Sequence, residues 1–221
     1  IFTTIVKTDS IEGFSQTVQR LSKILMAQIE NSNIKFNDVK SVGIGVPGPV
    51  LNNRIVKFWA NFPWENGVDL ALEFEKNLGI PVKADNDVNV ITLGEMWQGA
   101  GQGYKNVLGL AIGTGIGGGI IVDGKLVSGL NGAGGEVGHI KIEHDGKLCG
   151  CGQKGCWEAY ASATGIIREA QSRLLINKRN LLYEMTKGRD LEAKDVFDAA
   201  KQGDKFALDI VDYEAEKLAL G

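Results

Sequence analysis

Apolar residues recur along the chain with two different periods, and the switches between them divide it into elements. The opening IFTTIVKT (1–8) alternates apolar and polar side chains, the period of a half-buried strand. From Glu12 to Glu30, Phe14, Val18, Leu21, Leu25 and Ile29 fall three or four apart, one face of a helix that Asn31, Ser32 and Asn33 close. VKSVGIGV (39–46) is β-rich and nearly continuously apolar, as in a strand buried on both faces of a parallel sheet. A helix over 68–78 is stopped by Gly79 and Pro81. PVKA (81–84) is a short strand running into Asp85-Asn86-Asp87, and Val88 to Trp97 is helical again.

Beyond the glycine-rich stretch 99–106 the pattern predicts strands at 107–112, 118–122 and 125–128. The last two are joined by Asp123-Gly124, a strong hairpin signal between apolar runs. VGHIKI (137–142) and Glu143 read as a strand over 138–143 that turns at Asp145-Gly146. Helices follow at 157–176, 193–202 and 204–220, with no repeat and no low-complexity segment. A βαβ-type beginning, then hairpins, then helices indicates an α/β protein. The glycines at 99–106 suggest two lobes, 1–105 and 106–221.

Composition narrows the function classes. The 221 residues are 43% hydrophobic and 23% charged with a net charge of −3, which gives no general affinity for nucleic acid or an anionic membrane. No apolar run approaches the roughly 18 residues of a spanning helix. Three cysteines, all between 149 and 156, do not make a disulfide scaffold and favour a reducing, cytoplasmic setting.

Those cysteines are the first candidate chemistry. Cys149, Cys151 and Cys156 supply three thiolates, and a closed structural zinc site needs four N or S ligands. His139 and His144 precede them; the turn at Asp145-Gly146 can bring residues near the start of the 138–143 strand back beside the sulfurs, so His139 is preferred. The alternative is three incidental buried thiols; a redox pair is disfavoured because no Cys-x-x-Cys occurs.

IGTGIGGG (112–119) is neither a Walker loop nor a Rossmann turn, because no Gly-Lys-Ser/Thr follows and the next element is a strand. It is either a phosphate-binding turn offering backbone N–H groups and a Thr hydroxyl, or a tight hairpin whose glycines serve packing. ADNDVN (84–89) lies where a strand gives way to a helix, a position where α/β folds gather ligands. One of its carboxylates could take a proton from a substrate hydroxyl while Asn86 holds another hydroxyl, or these residues simply cap the helix from Val88, with Asp85 the expected cap. Glu136 beside His139, and Glu158 two residues after the last cysteine, add acceptors suited to sugar hydroxyls. A zinc clamp would hold Glu136, His139 and Glu158 in register.

Taken together, CGCGQKGCWEAYAS, LAIGTGIGGGIIVDGKLVSGLNGAGGEVGH, GIGVPGPV and ADNDVN resemble the ROK family (repressors, uncharacterised reading frames and sugar kinases), above all its bacterial glucokinases, from about 39 to 165. The resemblance implies an actin-like ATPase (ribonuclease H-like) α/β fold with two lobes around a cleft. It implies ATP-dependent phosphorylation of a hexose at the 6-hydroxyl, glucose to glucose 6-phosphate, with Mg2+ and a structural Zn2+. Carried over, Asp87 is the catalytic base; Asn86, Glu136, His139 and Glu158 bind sugar hydroxyls, with Gly48 and Asn61 contributing. Thr114 and Gly115 contact ATP phosphates, and His139, Cys149, Cys151 and Cys156 bind zinc, His139 serving metal and sugar through one ring nitrogen each. The preferred hexose stays open among glucose, N-acetylmannosamine, fructose and allose.

Two departures accompany the resemblance. The family's leading Asp-x-Gly-Gly-Thr loop has no counterpart, and its trailing nucleotide segment would lie past Gly221. The chain is therefore expected to be an interior piece, incomplete in both lobes and inactive alone. Whole, the protein is expected to be a cytoplasmic homo-oligomer, dimer or tetramer, that takes a hexose and contacts no membrane. The alternatives are a sugar-sensing repressor, its DNA-binding segment before residue 1 and no nucleic acid bound by these residues, or a non-catalytic zinc-stabilised sugar-binding fragment. An intact Asp87 favours the kinase, since a sensor needs no base.

Overall fold

Two short apolar strands paired in parallel organise the first half of the chain. The structure, a computed structural model, describes residues 3–59 and 62–221. Its first compact unit takes in the chain up to Gly109 together with Gly119–Gly135. Here α1 (Phe14–Glu30) follows a 3-10 turn at Ser10–Glu12 and buries Thr17, Val18, Ser22 and Ile29. β1 (Val42–Val46) precedes a small antiparallel ribbon of β2 (Val50–Leu51), β3 (Ile55–Val56) and β4 (Val68–Asp69). Asn52 and Asn53 turn β2 into β3, both with left-handed φ (54° and 56°), a conformation Asn tolerates better than most residues.

α2 (Leu70–Leu78) is capped by the Asp69 carboxylate, which accepts from Leu72 N, and is ended by Gly79. β5 (Val82–Asn86) then pairs in parallel with β1, from Val42 opposite Val82 to Val46 opposite Asn86. α3 (Asp87–Gln98) leads to a three-stranded sheet in the order β6 (Val107–Ile112), β7 (Ile116–Val122), β8 (Lys125–Leu126). The core of this unit gathers Val18, Val46, Val50, Val56, Trp59, Leu70, Phe74, Leu78 and Val82.

The second unit comprises Leu110–Gly118 and Glu136–Gly221. It continues with α4 (Glu158–Ala161), α5 (Ala163–Ile176), α6 (Leu181–Thr186), α7 (Ala193–Lys201) and α8 (Lys205–Leu220). Ile166, Ala170, Leu182, Val196, Ala199, Ala207 and Ile210 form its helical core. A second cluster around Cys149, Cys156, Ala159 and Tyr160 packs under the cysteine loop.

Several expectations for single elements are corrected. Residues 119–135 group with the first unit. The hairpin is drawn there by close packing: a Cβ at Gly109 or Gly119 would fall 2.2 or 2.1 Å from Thr92 Oγ1 on α3. Residues 3–9 form no strand despite their alternation. A strand must pair its backbone groups with another strand; here the carbonyls of Lys7 and Thr8 accept from the Arg20 guanidinium and that of Asp9 from the Glu12 N–H. The strand expected at 138–143 is a 3-10 turn (Val137–His139) followed by a single bridge from Lys141 to Cys156. The helix expected over 157–176 breaks at Ser162, whose extended backbone ends α4 while its hydroxyl accepts from Gly165 N and caps α5. No helix among the described residues is long and apolar enough to cross a membrane.

Beneath the cysteine loop lies a charged layer that the alternation of the sequence does not disclose. Lys147 pairs with Glu169 at 2.6 Å, Glu169 accepts from Arg173 at 2.9 Å, and Lys217 pairs with Glu143. Glu214 on α8 sits in this layer with its Oε2 buried and unbonded. Burial pushes its carboxyl up to about 7 from an ordinary 4.5; Lys147 pulls it down and Glu169 pushes it up. A carboxyl raised in the folded state contributes stability below its unfolded value and loses it as pH rises through the folded one. Glu214→Gln is therefore expected to match the wild type near pH 5 and to unfold roughly 2–4 °C higher at pH 8. Thermal unfolding at the two pH values checks this, and equal offsets at both would contradict it.

Candidate functional site

Each unit carries candidate site residues of its own, set by its own elements. In the first unit, β5 ends and α3 begins within Asp85-Asn86-Asp87. The three side chains divide the work. Asp85 is buried, 8% exposed, and its carboxylate accepts from Asn53 Nδ2 at 2.8 Å, Asn89 Nδ2 at 2.9 Å and the Asn86 N–H at 2.8 Å. Asn86 caps α3, its Oδ1 accepting from Val88 N at 2.9 Å and Asn89 N at 3.2 Å. Asp87 opens the helix and is exposed; among the described residues its Oδ1 accepts only from the adjacent Val88 N–H, at 2.9 Å.

The expectation that Asp85 caps the helix is thus corrected: the cap is Asn86, and Asp85 anchors the β2–β3 turn to the end of β5. Asn53 is the residue the sequence reading passed over. Its signal was present, an Asn-Asn pair between the short apolar runs Val50–Leu51 and Ile55–Val56 that suits a primed turn. Gly48 has φ 101°, and a Cβ there would fall 2.5 Å from Phe58 O, so no other residue fits without strain. Its carbonyl accepts from Asn86 Nδ2 at 3.4 Å, a long contact that leaves the amide available to a better acceptor. Asn61 lies outside the described residues.

In the second unit the chain doubles back on itself between His139 and Trp157. Ile142 N donates to Gly155 O at 3.0 Å, Trp157 N to Ile140 O at 2.9 Å, Gly155 N to Lys147 O at 2.9 Å and Cys149 N to Gln153 O at 2.8 Å. This return brings His139, Cys149, Cys151 and Cys156 together, one ligand atom of each within 4.8 Å of the others. His139 Nδ1 is 3.7 Å from Cys149 Sγ, and Nε2 is 3.8 Å from Glu136 Oε2. Nδ1 faces the Cys149 sulfur and the Glu158 carboxylate, and Nε2 faces Glu136. His144 stands outside the cluster, its side chain 98% exposed beside Asp145.

Glu158 joins the cluster to the glycine hairpin. Its Oε1 accepts from Cys149 Sγ at 3.1 Å and lies 3.7 Å from His139 Nδ1, while Oε2 accepts from Ile116 N at 3.3 Å. A Cβ at Gly115 would sit 2.5 Å from that Oε2, so glycine lets the turn close on the carboxylate. Thr114 is exposed at the tip, its carbonyl held by the Thr164 hydroxyl at 2.7 Å. The glycines of 112–119 therefore serve two purposes: Gly119 packs on Thr92, and Gly115 shapes a turn with an exposed backbone.

Three sulfurs and an imidazole converging within a loop fit a soft, four-coordinate divalent cation, and zinc in a closed structural site matches both donor type and number. The thiols themselves are poised unequally. Burial pushes Cys149 up to about 12 against the Cys151 N–H, with Glu158 adding to the rise. Burial also works against Cys151, but the Gln153 N–H, the neighbouring thiols and Lys141 bring it below its ordinary value. A cation that removes the Cys149 proton supplies the compensation that burial withholds.

Comparison with known proteins bears on these arrangements together. The sequence matches the ROK family over residues 3–221. A glucokinase of Thermotoga maritima is 39% identical over 209 residues, covering 94% of this chain and 64% of that relative. An N-acetyl-D-glucosamine kinase of Haemophilus influenzae is 34% identical over 203 residues, covering 87% and 62%. Among solved structures, the ROK family glucokinase of Streptomyces griseus in complex with glucose and AMPPNP superposes with a TM-score of 0.77 at 36% identity, covering 93% of this chain and 65% of that one. A ROK family transcriptional regulator, a homologue of the Escherichia coli MLC protein, superposes with a TM-score of 0.78 at 30% identity, covering 91% and 50%. The chain thus spans somewhat under two thirds of the length of these kinases, and its α/β fold is the actin-like ATPase fold that the sequence motifs implied.

The Asp85 hub makes a prediction independent of activity. Asp85→Ala leaves the buried Asn89 amide, the exposed Asn53 amide and an N–H without their acceptor, a loss of about 1–3 kcal/mol. Urea unfolding measures it; a change under about 0.5 kcal/mol would mean that the hub is dispensable.

Proposed function

The chain belongs to the ROK family, and on that premise we propose that it carries the sugar-binding and proton-accepting residues of an ATP-dependent hexokinase acting on the 6-hydroxyl of glucose. The observation that carries this reading is the contrast within Asp85-Asn86-Asp87. The Asp85 carboxylate and the Asn86 Oδ1 are taken up by structure, while the Asp87 carboxylate is left exposed at the C-terminal end of a parallel strand. Phosphoryl transfer needs positioning and charge stabilisation, plus a carboxylate that orients the attacking hydroxyl and accepts its proton. In this reading Asp87 is that base. Asn86 offers its Nδ2, and Glu136, His139 and Glu158 accept from or donate to other sugar hydroxyls, with Gly48 and Asn61 at the margin. Thr114 and Gly115 meet the phosphates of ATP, which arrives with Mg2+.

Zinc held by His139, Cys149, Cys151 and Cys156 has no open coordination position, so its contribution is a cross-link. It fixes the loop that bears Glu136, His139 and Glu158. The transcriptional-regulator neighbour supports a second reading, a sugar sensor, and the N-acetyl-D-glucosamine kinase supports a different hexose. A sensor needs the hydroxyl ligands and has no use for Asp87.

Coupled assays of the full-length protein with MgATP against glucose, N-acetylglucosamine and N-acetylmannosamine test the reading directly. Asp87→Asn keeps the shape of the side chain but cannot take a proton, so kcat should fall roughly 10²–10⁴-fold with sugar affinity nearly unchanged. A variant retaining more than about a tenth of the rate would remove Asp87 from that role. Asn86→Ala should raise the sugar KM more than it lowers kcat; because Asn86 also caps α3, it should cost about 1 kcal/mol of stability as well. Metal analysis of the purified protein is expected to find about one zinc per chain. A disulfide among the three cysteines, or no metal, would contradict the clamp.

A further inference from the structure

The cysteine cluster has a neighbour that none of the roles above uses. Lys141 is exposed, and its Nζ lies 3.6 Å from Cys156 Sγ and 2.5 Å from the carbonyl oxygen of Lys154. We propose that Lys141 is an outer-shell residue of the metal cluster, donating a hydrogen bond to the Cys156 thiolate and so setting how tightly the cation is held and how readily that sulfur is attacked. The inference rests on the metal-binding reading of His139, Cys149, Cys151 and Cys156.

The need for such a donor follows from charge. Three thiolates and a neutral imidazole around a divalent cation leave an excess of one negative charge. Cys156 is fully buried, at 0% exposure, so its sulfur has no water to spread that excess and depends on fixed donors. The backbones of Lys141 and Cys156 face each other in an isolated antiparallel bridge, which holds the two side chains as direct cross-strand neighbours.

The surrounding carboxylates are otherwise engaged. Glu143 is paired with Lys217, and Asp145 lies 3.5 Å from His144 and 3.9 Å from Lys154. Among the described residues Lys141 makes no carboxylate ion pair, so sulfur is its anionic partner. An ammonium has three donors; two are used here, and the exposure of Lys141 leaves the third to water. The competing reading is a staple only, with Lys141 holding the loop through the Lys154 carbonyl.

Cobalt(II) as the probe ion separates the two. In the full-length protein, Lys141→Met keeps the aliphatic stem and removes the donor, while Lys141→Arg restores a cationic donor. The Met variant is expected to bind cobalt(II) and zinc(II) about 10–100-fold more weakly. Its thiolate-to-cobalt charge-transfer band should move to lower energy, because an unbonded thiolate gives up its electron more easily. Zinc release on treatment with N-ethylmaleimide should quicken, and the Arg variant should recover all three properties. A Met variant with wild-type affinity and an unmoved band overturns the proposal. So does weaker binding with an unmoved band, which assigns Lys141 to the loop alone. A wild-type protein that takes up no cobalt(II) overturns the metal reading itself, an outcome distinct from either of these.

Discussion

The return of the chain from His139 to Trp157 is the constraint on which the second unit's chemistry depends. It is made by a handful of backbone hydrogen bonds and a few side-chain contacts, without a regular hairpin ladder. Such a loop cannot hold itself: each exposed backbone bond contributes about 1 kcal/mol at best, against a comparable entropic cost per ordered residue. The stabilisation comes from what the loop closes over. Tyr160 receives the Lys147 N–H on its hydroxyl at 2.5 Å, and its ring lies under the ammonium groups of Lys147 and Lys217. Cys149 and Cys156 are buried against Ala159 and Tyr160. Four convergent ligand atoms then make the loop a site that a cation can lock, converting metal affinity into positional accuracy for Glu136, His139 and Glu158.

The first unit solves the same problem with carboxylate and amide groups. Asp85 binds the β2–β3 turn through Asn53 and the first turn of α3 through Asn89, so its charge is compensated by three donors without any cation. This leaves Asn86 and Asp87 at the strand's end with defined backbones. Fixing one acidic residue to present the next is economical in sequence, three consecutive positions, and it explains why capping and catalysis could not be separated by residue type alone. All three residues are good caps in principle; burial and partners distinguish them, and those are set by the tertiary fold.

What was legible in the sequence follows from this. Elements whose signal is local and strong were found: α1 from its five apolar positions, the parallel β1 from its unbroken apolar run, the Asp123-Gly124 turn, and the helices beyond Ala193. The convergence of Cys149, Cys151, Cys156 and His139 was legible because spacing and residue type are both restrictive, and His139 was separable from His144 by chain geometry. The misses have a common physical cause, since each depends on a distant partner. Residues 3–8 of IFTTIVKT alternate like a strand but find no neighbouring strand among the described residues. Ser162 looks like the middle of a helix until its hydroxyl is seen capping the next one. The two-residue strands β2, β3 and β4 carry too few positions for any period, and Lys141 gains its interest only because the bridge sets it opposite Cys156.

The kinase and sensor readings cannot be told apart by fold, since a sugar kinase and a transcriptional regulator superpose on this chain almost equally well. They differ in what the sequence asks of Asp87. Hydroxyl recognition is served by groups whose hydrogen-bond geometry is held rigidly, as Glu158 is by the Ile116 N–H. A base must instead keep a free lone pair directed outward, because every donor committed to the carboxylate blocks the incoming hydroxyl. Among the described residues Asp85 has three such donors and Asp87 has one, the N–H of its own neighbour. That asymmetry, in two carboxylates of identical chemistry separated by one residue, is the feature of the structure that a sugar sensor would not require and a phosphoryl-transfer enzyme would.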